Sequence, residues 1–336
     1  MGSHRLRLNI NPTLKMTAQS LFIYAIAGGV IWYESRGLRL GRELSELASA
    51  NLAWFVPATA VAFLLWFVGE NLLFARMFSH FHGRTEFIEV LPATAAQSFL
   101  QVVNSLVADG ALLFFLRQRK GVPWLTGIFT IAFFGFLDGI LFSFLVALAG
   151  IAVPDSAFAA WWHIAAAAFI AFMLIAAWWM WREPVYGVER WLRSRPSLIA
   201  FRKANLAIYA ELLAIRFAIA LPQGFLLWVS LEAFKLNIPL LQVIATSPAI
   251  LASGGAPMTP ACLGPLQAVG LYGLGAFAPR ARLMAALLAF GVAHLIYRLP
   301  LGLGSAGVVV GYVLRNGGEL ADEPDLLALP SDGVKS

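Results

Sequence analysis

Charge is scarce in this chain. Asp, Glu, Lys and Arg make up 12% of its 336 residues, against about 25% in a soluble globular domain. So little charge cannot cover a water-facing surface of this size, which excludes an ordinary soluble enzyme. Cysteine is scarcer still. Cys262 stands alone, so a secreted disulfide scaffold is excluded. Short segments of alternating polarity, the signature of an outer-membrane barrel, are missing as well. What is plentiful is apolar: 60% of residues fall in AVILMFWYC and the mean hydropathy is +0.76. That excludes disorder and leaves an all-α, polytopic membrane protein.

The formal charge is +6 and the isoelectric point about 9.7. The basic residues sit at the ends of apolar runs instead of forming one patch with interleaved aromatics. That distribution fits a helical bundle facing a membrane surface and excludes nucleic acid as a partner. Residues 1–15 carry Arg5, Arg7 and Lys15 and are expected in the cytoplasm. The following apolar run is expected to be a retained first helix, since Tyr33-Glu34-Ser35-Arg36 follows it and no small-residue cleavage site does.

About 20 residues are needed to cross the hydrocarbon at 1.5 Å each. On that ruler residues 16–33 are a first crossing, 34–50 an interfacial segment and 51–69 a second crossing, followed by a polar stretch at 70–89. Residues 91–116 are long enough to cross but unusually polar. Residues 122–153 and 157–181 are crossings joined by a turn at Pro154-Asp155. The latter has Trp161 and Trp162 at one end and Trp178, Trp179 and Trp181 at the other. About 24 Å separates Trp162 from Trp178, the spacing of two interfacial aromatic belts. Residues 182–205 form the most basic loop, assigned to the cytoplasm.

Topology then constrains the polar segment. If the N-terminus is inside, two crossings bring Arg76 back inside, and Arg117, Arg119 and Lys120 belong there too. Residues 91–116 must therefore enter and leave on one side, with Pro92 and Asp109-Gly110 as the expected breaks. Such backbone survives only where protein or a wet cavity shields it. In the second half, 206–231 is a crossing. Residues 237–263 carry Pro239, Pro248, Gly254, Gly255, Pro257 and Pro260, too many breakers for a straight helix. Residues 265–277 and 282–314 complete a single transmembrane domain (16–314), the last interrupted at Arg298-Leu299-Pro300. The acidic tail, 315–336, is expected to be disordered. The sum is about seven or eight crossings plus two re-entrant segments. A broken segment in each half, 16–181 and 206–314, entered from opposite sides, points to an inverted-repeat transporter with its site between the halves, although no residue-level internal repeat is present.

Few polar residues are candidates for chemistry. Gln97, Gln101 and Asn104 recur at i, i+4 and i+7, one stripe of a helix, and Asp109 follows at the expected turn. They either line a path for a lipid headgroup or bond between helices. Asp138 lies deep in an apolar crossing, where an ionisable side chain needs a partner. Glu211 and Arg216 are about 140° apart around their helix, so each is expected to pair elsewhere. Asp138 facing Arg117 or Arg216 forms a structural lock; alternatively the arginines hold a lipid phosphate bidentately. Arg298 either meets anionic lipid or snorkels to the interface. Gly135-xxx-Gly139 and Gly307-xxx-Gly311 read as helix contacts. No GxxxxGK[ST] and no HExxH occurs, and His80-x-His82 is a weak metal spacing. Asp-Gly pairs lack a GxGD context, and Ser253-Gly254-Gly255 is not GxSG. No catalytic residue, metal or cofactor is expected.

Two stretches resemble the lysylphosphatidylglycerol synthase transmembrane-domain family. Asn104-Ser-Leu-Val-Ala-Asp-Gly110, Leu116-Arg117-Gln-Arg-Lys-Gly121 and Phe136-Leu-Asp138 are similar to the family's Asn-x-x-Pro-x-x-x-Gly, basic segment and later Arg-x-x-Asp. Pro257-Met-Thr-Pro260-Ala-Cys-Leu-Gly264-Pro-Leu-Gln267 resembles Thr-Pro-Gly-Gly-Leu-Gly-x-x-Glu. The proline after Asn104 is missing, Gly-Gly is Ala261-Cys262, and the Glu is Gln267, so no carboxylate titrates there. The chain carries no aminoacyl-transferase segment. The resemblance therefore implies movement of an unmodified lipid across a bacterial inner membrane, of phospholipid, polyprenyl-phosphate or hopanoid type. Expected headgroup contacts are Gln97, Gln101, Asn104, Asp109, Arg117, Asp138, Glu211, Arg216, Thr259, Pro260, Gln267 and Arg298. The competing expectation is a non-transporting scaffold or subunit for lipid-modifying enzymes. A homo-oligomer or lipid-biosynthesis enzymes stand open as partners.

Overall fold

The computed structural model describes residues 50–101, 105–152, 159–181, 195–253 and 264–316. The expected first crossing, the interfacial segment up to 49, the turn at Pro154-Asp155, residues 182–194 of the basic loop and the tail beyond 316 lie outside them. Among the described residues every regular element is helical. In chain order they are α1 (Leu52–His82), α2 (Phe87–Leu100), α3 (Ser105–Lys120), α4 (Trp124–Ala152) and α5 (Ala159–Trp181). A 3-10 turn (Pro196–Leu198) leads to α6 (Ile199–Lys203), α7 (Leu206–Glu232), α8 (Leu240–Ser253), α9 (Pro265–Leu274) and α10 (Arg280–Asn316). Four segments are long and apolar enough to cross a membrane: Leu52–His82, Trp124–Leu148, Leu206–Glu232 and Arg280–Leu301.

α1 corrects the first expected boundary. The polar stretch from residue 70 is not a loop, because the helix runs through Glu70 and Asn71 to His82. Leu73, Phe74, Met77, Phe78 and Phe81 keep one face buried at helical spacing, and that face outweighs the polar residues between. Gly83, at φ +94°, ends the helix. α1 lies antiparallel along α7. The backbone N–H of Asn51 donates to Ala233 O at 2.8 Å at one end, and Glu211 meets His80 at the other. Between them Gly69 lets the helices close: a β-carbon there lies 2.3 Å from Ile219 Cγ1.

α2 and α3 form a hairpin that opens on one side. They are about 21 and 24 Å long, short of the ~30 Å hydrocarbon. At the open end Lys120 Nζ donates to Arg84 O at 2.8 Å and pairs with Glu89 at 3.1 Å. Arg84, Arg117, Arg119 and Lys120 share this end, and α6, with Arg202 and Lys203, feeds α7 there. The break itself is not where Pro92 and Asp109-Gly110 put it. Pro92 lies within α2 and Asp109-Gly110 within α3; the helix ends at Gln101, and 102–104 lie outside the described residues. One missing N–H in an early turn does not stop a shielded helix. Asp109 is not a turn residue because its carboxylate accepts from Gln97 across the hairpin instead of from its own backbone.

The second broken segment mirrors the first. α8 and α9 pack together and are about 21 and 15 Å long; 254–263 lie outside the described residues. One apolar cluster gathers Phe55, Leu231, Phe234, Ile238, Leu274 and Leu283. It ties the start of α1, the end of α7, the entry to α8, the end of α9 and the start of α10 to one side, opposite the basic end. α10 then corrects a further expectation, since it runs unbroken through Arg298 and Pro300. The principal neighbours of α2 are α10 and α3, and those of α8 are α4, α7 and α9; the long helices thus stand between the two hairpins. The tryptophan ruler falls in α5, with Trp178 exposed, and Gly139 abuts Phe169 of α5 as a helix contact.

Candidate functional site

The long helices bring charge to one level. Asp138 is the central residue of α4 and Arg298 of α10, while Glu70 and Arg216 lie three residues from the middle of α1 and α7, an offset of about 5 Å. Arg216 grips Asp138 side-on: Nε donates to Oδ1, and Nη2 to Oδ2 at 2.7 Å. Its Nη1 donates to Glu70 Oε1 at 3.4 Å, and Phe134 lies under the guanidinium, 5.1 Å away. Arg298 stacks over Trp66 at 5.0 Å, within electrostatic reach of Glu70. Two carboxylates and two guanidiniums sum to zero formal charge. Buried ions of this kind are tolerated only when paired and hydrogen-bonded, and bidentate arginine geometry supplies both. Of the alternatives for Asp138, the lock with Arg216 is the one present. Arg298 faces α1 in the interior instead of snorkelling.

The first hairpin contributes a second polar group. Gln97, 3% exposed, donates from Nε2 to Asp109 Oδ1 at 3.2 Å. Its Oε1, the Ser98 Oγ one residue on, and Glu70 Oε2 are buried without a hydrogen-bond partner. Asn71, next to Glu70, docks the hairpin on α1: it accepts from Thr94 Oγ1 and donates to Phe87 O, both at 2.8 Å. Gln101 is half-buried at the end of α2, and Asn104 lies outside the described residues. Arg117 sits in the last turn of α3, about 12 Å along the helix from Asp109, so the structure does not bring these two together. Glu211 belongs to the basic rim instead of the interior: His80 Nε2 lies 3.0 Å from it and Arg76 Nε 3.8 Å. As the helical angle requires, it does not pair with Arg216. His82 turns to Thr130 at 2.8 Å, so the two histidines do not share a ligand.

The second hairpin holds Gln267 in the first turn of α9, 2% exposed, with its Oε1 accepting the Gly264 N–H. Thr259 and Pro260 lie outside the described residues. Along α9 runs a cavity of about 480 Å³ walled by Ala268, Leu271, Tyr272, Gly275 and Arg280; of the expected site residues none lines it.

Residues 20–302 match the family model of the lysylphosphatidylglycerol synthase TM region. The chain belongs to this family. No curated protein matches it. A lysylphosphatidylglycerol synthase TM region is a membrane domain of lipid-related proteins, and this one is a multi-pass membrane protein. Of the stretches that carry the resemblance, the described residues are 105–110 and 116–121 on and just after α3, 136–138 on α4, and 264–267 at the start of α9. Glu70, Asn71, Thr94 and Ser98 were not among the expected residues. The signal was available, because Glu70-Asn71 interrupts an apolar pattern that resumes unchanged in phase with Leu73, Phe74 and Met77.

Proposed function

We propose that this TM-region protein moves a lipid between the leaflets of a bacterial inner membrane without altering it chemically. The observation that carries the proposal is the pair of hairpins, all of whose arms are shorter than the hydrocarbon is thick, opening on opposite sides, on either side of long helices with charges at their middles. Hairpins of this length leave polar backbone and side chains part-way through the bilayer, where a transporter's substrate site belongs. The basic end is cytoplasmic. The headgroup follows a polar route past Gln101, Asn104, Asp109 and Arg117 of the first hairpin and Thr259, Pro260 and Gln267 of the second, while the tail stays in hydrocarbon. A wet route for the head removes most of the cost of burying a polar group. Family membership supports a lipid as the substrate.

One observation favours the competing reading, a scaffold for lipid-biosynthesis enzymes. Arg216 is engaged within the protein at Nε, Nη1 and Nη2, as a purely structural lock requires. Reconstitution into liposomes with headgroup-labelled phosphatidylglycerol separates the two. Transport predicts label movement that Asp109→Asn or Arg117→Ala reduces at least tenfold, with the melting temperature retained. Movement indifferent to both substitutions, or none above protein-free vesicles, favours the scaffold.

A further inference from the structure

The inner end of the second hairpin is polar in a specific way. α9 begins at Pro265, which has no N–H, after a Gly264 held at φ +110°, backbone that favours glycine. Gln267 folds back so that Oε1 accepts the Gly264 N–H. Both heteroatoms of an amide share one planar carbon, so Nε2 lies over the same helix end. That Nε2 is buried and has no hydrogen-bond partner. An unmade donor in the interior is costly. No acidic residue occupies the first turn to neutralise the positive end of the helix dipole.

A buried donor over an uncompensated helix N-terminus is an oxyanion site. From here α9 runs about 15 Å to its open end, half the hydrocarbon thickness. Half-helices in transporters aim such N-termini at anionic substrate groups near the midplane. The cavity of about 480 Å³ follows the same helix from Ala268 past Tyr272 to Gly275, and Arg280 at the start of α10 walls its far end. We infer that the α9 N-terminus is a station for the phosphate of a lipid in transit, with Gln267 Nε2 donating to a phosphate oxygen. The inference rests on the lipid-moving function proposed above. It narrows the substrate class to phosphate-bearing lipids and sets neutral, hopanoid-type lipids aside.

The test uses the full chain in detergent, titrated by native mass spectrometry with phosphatidic acid, with diacylglycerol of the same chains, and with inorganic phosphate. Phosphatidic acid is expected to bind at least tenfold more tightly than diacylglycerol, and millimolar inorganic phosphate to displace it. Gln267→Glu keeps an oxygen for the Gly264 N–H but adds negative charge; it is expected to bring the preference close to one. Should that variant not fold, Ala268→Glu, on the same turn facing the cavity, carries the same expectation. Equal binding of the two lipids by the unsubstituted protein overturns the inference. So does an unchanged preference in a folded Gln267→Glu, or bound inorganic phosphate that phosphatidic acid fails to displace. A parallel liposome assay keeps the two proposals apart. Phosphate preference without transport overturns the function and leaves the station; transport of both lipids alike overturns the station and leaves the function.

Discussion

Arg216 is the residue on which the interior charge balance turns. Replacing it by Met leaves Asp138 and Glu70 buried without their shared cation, a class of change that costs about 3–5 kcal/mol. The expected result is a large drop in melting temperature in detergent, and partial recovery in Arg216→Met/Asp138→Leu, which removes one of the stranded carboxylates. Single and double variants that melt together show that the cluster is no lock. Gly69 tests packing beside the same cluster. A methyl there meets Ile219 at 2.3 Å, so Gly69→Ala is expected to cost about 1–3 kcal/mol by overpacking. Gly110 is the control: it is helical with open space around its β-position, and Gly110→Ala is expected to stabilise by roughly 0.5–1 kcal/mol. Thermal melts of the two variants side by side decide the point.

At the scale of elements, the hairpins make a topological prediction. On a Cys262→Ser background, cysteines at Arg84 and Arg119 are expected to react with an impermeant maleimide from one face of the membrane. A cysteine at exposed Asn237 is expected to react from the other. Labelling of positions 84 and 119 from opposite faces means that α2 and α3 together cross the membrane, and the re-entrant topology is lost. The sequence was legible where length and apolar continuity decide the element, as in α4 and α7. Parity of the basic ends was enough to require the first hairpin. What it could not place was the break. Pro92 and Asp109-Gly110 are breakers by propensity, but propensity is a weak prior inside a packed bundle, and the Gln97–Asp109 bond holds both helices through them. Glu70 misleads for the same reason in reverse: a charge reads as a helix boundary, where a partner on α7 makes it an interior residue. Arg216 as that partner depends on how α4 and α7 are rotated against α1, which no local pattern encodes.

At the scale of the whole molecule, long crossings and short hairpins pack into one bundle. α1 and α7 are sewn together from Asn51–Ala233 at one end to His80–Glu211 at the other, with Gly69 letting them touch between. The first hairpin docks on α1 through polar bonds, Asn71 to Thr94 and Phe87, beside an apolar contact of Val90, Ala93, Leu112 and Phe115 with Phe74 and Phe78.

Glu70, Asp138, Arg216 and Arg298 also settle what the cell's membrane voltage is able to act on. A resting potential does work of about 2.3 kcal/mol per elementary charge per 100 mV, yet four ions adding to nothing at a common depth offer it no handle.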